Sequence, residues 1–152
     1  MALRVTFIAA ECEPWAKTGG LADVVDALAR ALGRVAGGIL ETPIDVFLPR
    51  YRGVAPDVDA GTGRVVRVPD PFALGGVTEV RIVDVAAEGY RLRLVDHPPA
   101  FDRSGYYGDA GADHPDNAWR FGLLCRAAIE TLRAEGRPAD VLHVHDWHAA
   151  PA

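Results

Sequence analysis

Leu3 to Ala10 (LRVTFIAA), a loop from Glu11 to Gly20, an apolar-periodic run from Leu21 to Val35, and Ile44 to Leu48 (IDVFL) closed by Pro49 decide the fold. The first run is short, apolar on both faces and free of charge after Arg4, which suits a strand buried on both sides of a parallel sheet. In the next, Leu21, Val24, Val25, Leu28, Leu32 and Val35 recur at helical spacing, and Gly37 and Gly38 are expected to end that helix. Strand, helix, strand is the unit of a parallel sheet covered by helices.

Working outward, the middle of the chain changes character. Val65 to Val68, Val77 to Val85 and Tyr90 to Val95 alternate in the β manner between glycine-rich joints and are expected to be strands joined as hairpins. His97 to Pro115 is rich in proline and glycine, a long turn-rich segment of the kind that carries function. A second helix is predicted to open at Asp113 or Asp116, either able to cap its first amides. Its buried stripe is Phe121, Leu124, Cys125, Ala128 and Leu132, with Gly136 and Pro138 as its stop. Val141 to His145 (VLHVH) reads as a further strand, followed by Asp146, Trp147 and His148 where another helix should begin. The expected fold is therefore α/β, a Rossmann-like sheet with a parallel core, helices on both faces and a β-hairpin region. A strand so near the end with no crossover helix after it leaves such a sheet unfinished, so the chain is expected to be part of a larger polypeptide.

Composition narrows the function. The 152 residues include 16 Lys plus Arg against 21 Asp plus Glu, a net charge of −5 that argues against general binding to a phosphate backbone. Cys12 and Cys125 lie far apart and make no disulfide framework, and the opening apolar run is too short for a signal segment or a bilayer span. A cytoplasmic setting is expected, with no membrane or nucleic-acid partner. Cys125 reads as a core thiol and Cys12 as a loop residue, neither with a redox role. Fifteen arginines accompany a single lysine, Lys17, which makes its position notable.

Lys17-Thr18-Gly19-Gly20-Leu21-Ala22-Asp23 lies between the first strand and the first helix, at the sheet edge where ligands of open α/β folds collect. Two glycines let an anion approach the backbone, the helix start offers N–H donors, and Lys17 adds a full charge, a combination suited to phosphate or diphosphate. The plainer reading is a helix-entry turn with Thr18 as its cap and Lys17 solvated. A P-loop is excluded, because its glycines would stand where Glu11 and Ala16 are, and no G-x-G-x-x-G follows the first strand. At the other end, His143, His145, Asp146 and His148 could together bind zinc, or serve as polar contacts to a sugar with Trp147 as a wall. The anion reading requires the Lys17 turn to lie at the Asp146 edge with its amide groups open.

The residues also resemble a family. ECEPWAKTGGLADVV (residues 11–25) closely resembles the opening of bacterial glycogen synthases and plant starch synthases, glucosyltransferases that use ADP-glucose. FDRSGYYGD (101–109), DNAWRFGLL (116–124) and HVHDWHA (143–149) are similar to that family's later N-terminal motifs, in the same order. The resemblance implies a GT-B fold of two Rossmann-like domains facing across a cleft. Residues 1–152 would be part of the N-terminal, acceptor-side domain, without the C-terminal nucleotide-binding domain. It implies retaining transfer of glucose from ADP-glucose to the non-reducing end of an α-1,4-glucan, with no metal ion or other cofactor. By motif match, Lys17, Thr18, Gly19 and Gly20 would bind the donor phosphates and Asp23 would support that turn or the donor. Asp146 and His148 match the active-site aspartate and histidine, Tyr107 would face the glucan, and Asn117 with Arg120 would brace the cleft wall. The chain alone is then expected to have negligible synthase activity and weak ADP-glucose affinity. Two other functions remain open on the residues themselves: a stand-alone glucan or nucleotide-sugar binding module, and a metallohydrolase built on the histidine cluster.

Overall fold

The computed structural model describes residues 2–35 and 37–152. β1 (Val5–Ile8), α1 (Gly20–Gly33) and β2 (Ile44–Pro49) form the opening unit. β3 (Arg64–Pro69), β4 (Val77–Ala86) and β5 (Tyr90–Asp96) follow. A one-turn α2 (Pro98–Phe101) and a two-residue hairpin, β6 (Gly108–Asp109) with β7 (Ala112–Asp113), occupy the turn-rich segment. The long α3 (Asn117–Ala134), β8 (Val141–Val144) and a short α4 (Asp146–Ala149) complete the order.

The main sheet runs β3-β4-β5-β2-β1-β8. β8, β1, β2 and β5 are mutually parallel, with Phe7 opposite both Val46 and His143, while β4 and β3 are antiparallel additions beyond β5. The expected hairpins are present, but β5 is not only a hairpin strand. It pairs in parallel with β2 from Ile44↔Tyr90 to Pro49↔Val95 and so belongs to the sheet core. Alternation along β5 sends Tyr90 toward α1, where its hydroxyl meets Asp26, and Arg93 toward α3, where it meets Glu135, so the two long helices cover opposite faces.

α1 departs from its expected face and length. Its buried residues are Ala22, Val25 and Ala29, flanked by half-buried Leu21, Leu28 and Leu32, whereas Val24 is 57% exposed. Small residues in the centre of the contact let the helix axis approach the sheet closely. The helix ends at Gly33 rather than at Gly37 and Gly38, because Arg34 closes the last turn onto the carbonyls of Ala31 and Leu32. Gly33 also abuts the turn between β4 and β5, where an added Cβ would lie 1.9 Å from the carbonyl oxygen of Gly89. An exposed helix glycine normally gains stability on replacement by alanine. Here overlap with backbone dominates, and Gly33→Ala is expected to lose roughly 1–3 kcal/mol in urea unfolding; unchanged stability would mean that α1 does not seat on that turn.

α3 carries the expected stripe, with Phe121, Leu124, Cys125, Ala128 and Leu132 all buried. Its start differs from expectation. Asp116 occupies the N-cap position but makes no capping hydrogen bond, since its two oxygens accept from Arg103 at 2.7 Å each. A bidentate charged pair competes successfully with a neutral amide cap. Arg93, fully buried, is held by Glu135 at 2.5 and 3.0 Å, by Asp84 at 3.0 Å and by Asp45 at 3.4 Å, tying β5, β4, β2 and the end of α3 together.

Candidate active site

The carboxyl ends of β1 and β8 lie side by side, and the segments leaving them form the site. After β1 the chain makes a compact loop. The Cys12 carbonyl accepts the amides of Trp15 and Ala16 at 2.9 Å, and Trp15 Nε1 donates to the Tyr90 hydroxyl at 3.2 Å, which anchors the loop on β5. The turn 17–20 then leads into α1, whose N-cap residue Gly19 provides no capping side chain. Among the described residues, no capping side chain takes up the first-turn amides of α1, which by helix geometry lack intrahelical partners. A Cβ placed on Gly19 or Gly20 would meet no atom within 4 Å. These two glycines are consequently not required by crowding from the protein itself.

Lys17 is half-exposed and bridges two carboxylates, with Nζ 2.5 Å from Glu13 Oε2 and 2.6 Å from Asp23 Oδ1. Asp23 first and Glu13 second hold its ammonium above the ordinary lysine value, and Lys17 in turn holds Asp23 below the usual carboxylate range. Asp23 thus supports the turn through Lys17.

Thr18 does not cap the helix. Its hydroxyl donates to Glu11 Oε1 at 2.6 Å and its amide to Glu11 Oε2 at 2.6 Å, while the Gly19 amide reaches the same Oε2 at 3.2 Å. The expectation of open amides is therefore corrected for Thr18 and Gly19, whose N–H groups are occupied by a carboxylate of the chain itself. Glu11 is 3% exposed, and a buried carboxylate must find donors. The sequence gives it no signal, because it stands seven residues before Thr18, at no motif spacing. Burial raises its pKa, but the bonds from Thr18, Tyr107 and the Gly19 amide outweigh burial and leave it below the usual range.

Glu11 also accepts from the Tyr107 hydroxyl at 2.5 Å. Tyr107 in turn stacks on His148, with ring centroids 4.6 Å apart, and His148 packs on Trp147 at 3.9 Å. The Lys17 turn and the Asp146 edge are thus joined through Glu11, Tyr107 and His148, as the anion reading requires. Asn117 and Arg120 brace this wall from behind: Asn117 donates to the Tyr107 carbonyl at 2.8 Å, and buried Arg120 donates to Asn117 at 2.6 Å and to the Ala100 carbonyl at 2.5 Å. Asp146, the first residue of α4, lies in the left-handed region, φ 63°, with its carboxylate accepting the Trp147 amide at 2.6 Å. A non-glycine residue held there marks a constrained turn. Trp147 is 52% exposed and forms one side of an apolar groove of about 440 Å³ with Phe72, Phe121 and Arg126.

The histidines do not assemble as ligands. His143 and His145 pack their rings on Phe7 at 4.9 and 4.8 Å, and among the described residues no group of three His, Cys, Asp or Glu side chains could hold a metal. This arrangement gives the metallohydrolase no ligand set. Burial pushes the Cys12 and Cys125 thiols up to about 11 and about 12. It pushes His145 down to about 4, with His143 adding to the effect, and lowers His148 as well.

A histidine with a depressed pKa is protonated more readily in the unfolded chain, so its contribution to stability is full above the unfolded value and is lost as pH falls. Unfolding free energy is therefore expected to fall between about pH 6.5 and pH 4, by up to about 3 kcal/mol from His145. Urea titrations across that range should show the slope, and His145→Phe should flatten it. A wild-type slope of zero would contradict the burial of the neutral ring.

Among the described residues, no helix is long and apolar enough to cross a membrane. The profile of the starch synthase catalytic domain family matches residues 4–152. A glycogen synthase from Koribacter versatilis (strain Ellin345) is 37% identical over 150 residues, covering 97% of this chain and 29% of its own length. One from Paracoccus denitrificans (strain Pd 1222) is 43% identical over 152 residues, covering 96% of this chain and 30% of its own. The catalytic domain of starch synthase IV from Arabidopsis thaliana, solved bound to ADP and acarbose, shares the fold with a TM-score of 0.78 at 33% identity, over 99% of this chain and 29% of that one. The chain thus spans less than a third of the length of these relatives. Profile, relatives and fold agree along nearly the whole of it, and the chain belongs to the starch synthase catalytic domain family.

Proposed function

We propose that this chain forms the N-terminal, acceptor-side wall of a GT-B glucosyltransferase that moves glucose from ADP-glucose to the non-reducing end of an α-1,4-glucan with retention. The observation that carries the reading is the joining of a side-chain-free helix entry, flanked by Lys17, to the Asp146–His148 edge through Glu11 and Tyr107. The relative bound to ADP and acarbose supports a nucleotide and a glucan-like ligand on this fold.

The chemistry suits these positions. Cleaving the sugar–phosphate bond builds negative charge on the departing diphosphate and positive charge on the sugar ring. Lys17 and the first-turn amides of α1 meet the first, and the Asp146 carboxylate lies on the side of the second. One preorganised donor of this kind is worth roughly 3 kcal/mol in the transition state. Gly20 replaces Gly19 as the first open amide, because Gly19 already serves Glu11. His148 and Tyr107 would line the sugar path, and the second domain would close the cleft over them.

ADP titration of the chain with Gly20→Ala tests the reading. The added methyl meets no protein atom within 4 Å, so thermal stability should hold within about 2 °C while ADP affinity falls roughly tenfold. Equal affinity of the variant and the parent would overturn it. Assayed alone with ADP-glucose and maltoheptaose, the chain should not elongate the glucan above background; elongation at an enzyme-like rate would remove the need for a second wall.

A further inference from the structure

We propose that Glu11 is a positioning residue that couples the Lys17–Gly20 turn to Tyr107, so that a group bound at the start of α1 and a group lying against the Tyr107 ring are sensed through one carboxylate. Only the identity of the first group, a nucleoside diphosphate, rests on the function proposed above; the coupling itself stands on the ligand-free geometry.

The carboxylate divides its oxygens between two tasks. Oε2 takes the amides of Thr18 at 2.6 Å and Gly19 at 3.2 Å, fixing the backbone that delivers the Gly20 amide. Oε1 takes two hydroxyls, Thr18 at 2.6 Å and Tyr107 at 2.5 Å. Tyr107 belongs to a segment 96 residues away in the chain, so this bond is a polar link between the two walls. Rotation of the carboxylate to follow one set of donors lengthens its bonds to the other. Since Glu11 is 3% exposed, solvent offers poor replacement for a lost donor, which is the condition under which a hydrogen-bond network transmits rather than dissipates a displacement. The Tyr107 carbonyl is held independently by the His114 amide at 2.9 Å and by Asn117 at 2.8 Å, so the link to Glu11 runs through its side chain alone. That ring stacks on His148, and motion of the turn therefore ends at the Asp146–His148 edge.

Amide hydrogen exchange on the ligand-free chain tests the coupling first. Thr18 and Gly19 should exchange slowly for amides of exposed loop residues. Tyr107→Phe, which keeps the stacked ring and removes only the hydroxyl, should accelerate both about fivefold; Tyr106→Phe, altering the neighbouring ring, should not. Glu11→Ala should accelerate them by tenfold or more, with the α3 amides unchanged as the check on folding, and if that variant fails to fold the Tyr107→Phe result decides alone. Exchange at Thr18 and Gly19 that ignores Tyr107→Phe overturns the proposal.

An ADP titration followed by NMR gives the second arm. In the parent chain both the Gly20 amide and the Tyr107 ring signals should move; in Glu11→Ala the Gly20 signal should still move and the Tyr107 shift should be lost. A Tyr107 shift that survives Glu11→Ala overturns the coupling. If ADP moves neither signal in the parent, the diphosphate reading fails, and the exchange measurements still decide on Glu11.

Discussion

Arg93→Met should destabilise the chain by about 3 kcal/mol, the low end of the roughly 3–5 kcal/mol lost when one partner of a buried ion pair is removed. Arg93 is wholly buried and serves three acids at once. Deleting it leaves Asp45 with Arg91 at 2.7 Å and Glu135 with Arg64 at 2.6 Å, and these residual partners keep the loss from the upper end. The sign with pH is fixed by Glu135, whose pKa Arg93 chiefly holds down to about 2. A depressed carboxylate stabilises above its unfolded value and loses that contribution as pH falls toward its folded one. The penalty of Arg93→Met should therefore be full at pH 7 and shrink below about pH 4.5. Urea unfolding at pH 7 and pH 4 measures both; a loss under 1 kcal/mol at pH 7 would show that the guanidinium is not what holds the end of α3 to β5.

Lys17→Ala should weaken ADP binding roughly ten- to hundredfold, the range expected when a charged hydrogen bond is removed. The effect has two parts. The ammonium is lost, and Glu13 and Asp23, which it bridges, are left facing the incoming phosphates without compensation. Glu13→Gln should act in the opposite direction. It releases Lys17 from one of its two partners, and because exposed pairs are weak the gain should be only about two- to fivefold. Both effects should narrow as salt is raised. Titrations of the three chains at two ionic strengths separate these effects. Weakening by both variants would mean that Glu13 itself holds the ligand.

Much of the fold was readable because its elements bury repetitive patterns. β1, β2 and the stripe of α3 are continuous or regularly spaced apolar runs, and glycine and proline punctuate them close to where they end. The failures share a cause. β5 forms the expected hairpin with β4, but its parallel pairing with β2 has no local signal, since Arg91 and Arg93 give it the alternation of a half-solvated strand. Arg93 instead turns inward to acids brought from β2, β4 and α3, and no local window contains that partnership. Spacing places Val24 and Val25 alike on the apolar face of α1, whereas the sheet buries Val25 with the small Ala22 and Ala29 and leaves Val24 outside.

The site divides the same way. Lys17, Gly19 and Gly20 announced themselves through position between strand and helix, and Asp146 with His148 through the end of the last strand. Glu11 carried no signal of its own. It lies inside the stretch that shows the family resemblance, yet its importance comes from being surrounded by donors from two distant segments, which is a property of packing. Thr18 shows the converse: a good cap by composition, it was drawn off by a stronger acceptor nearby.

The backbone of Asp146 limits how its charge can be studied. With φ at 63°, most side chains there would pay about 1–2 kcal/mol of conformational strain, while asparagine, like aspartate, tolerates the geometry. Alanine would discard the negative charge, the bond to the Trp147 amide and the shape of the bend together, and a dead variant would report on none of them separately. Asparagine keeps the bend and an oxygen for Trp147, so Asp146→Asn isolates electrostatics from architecture.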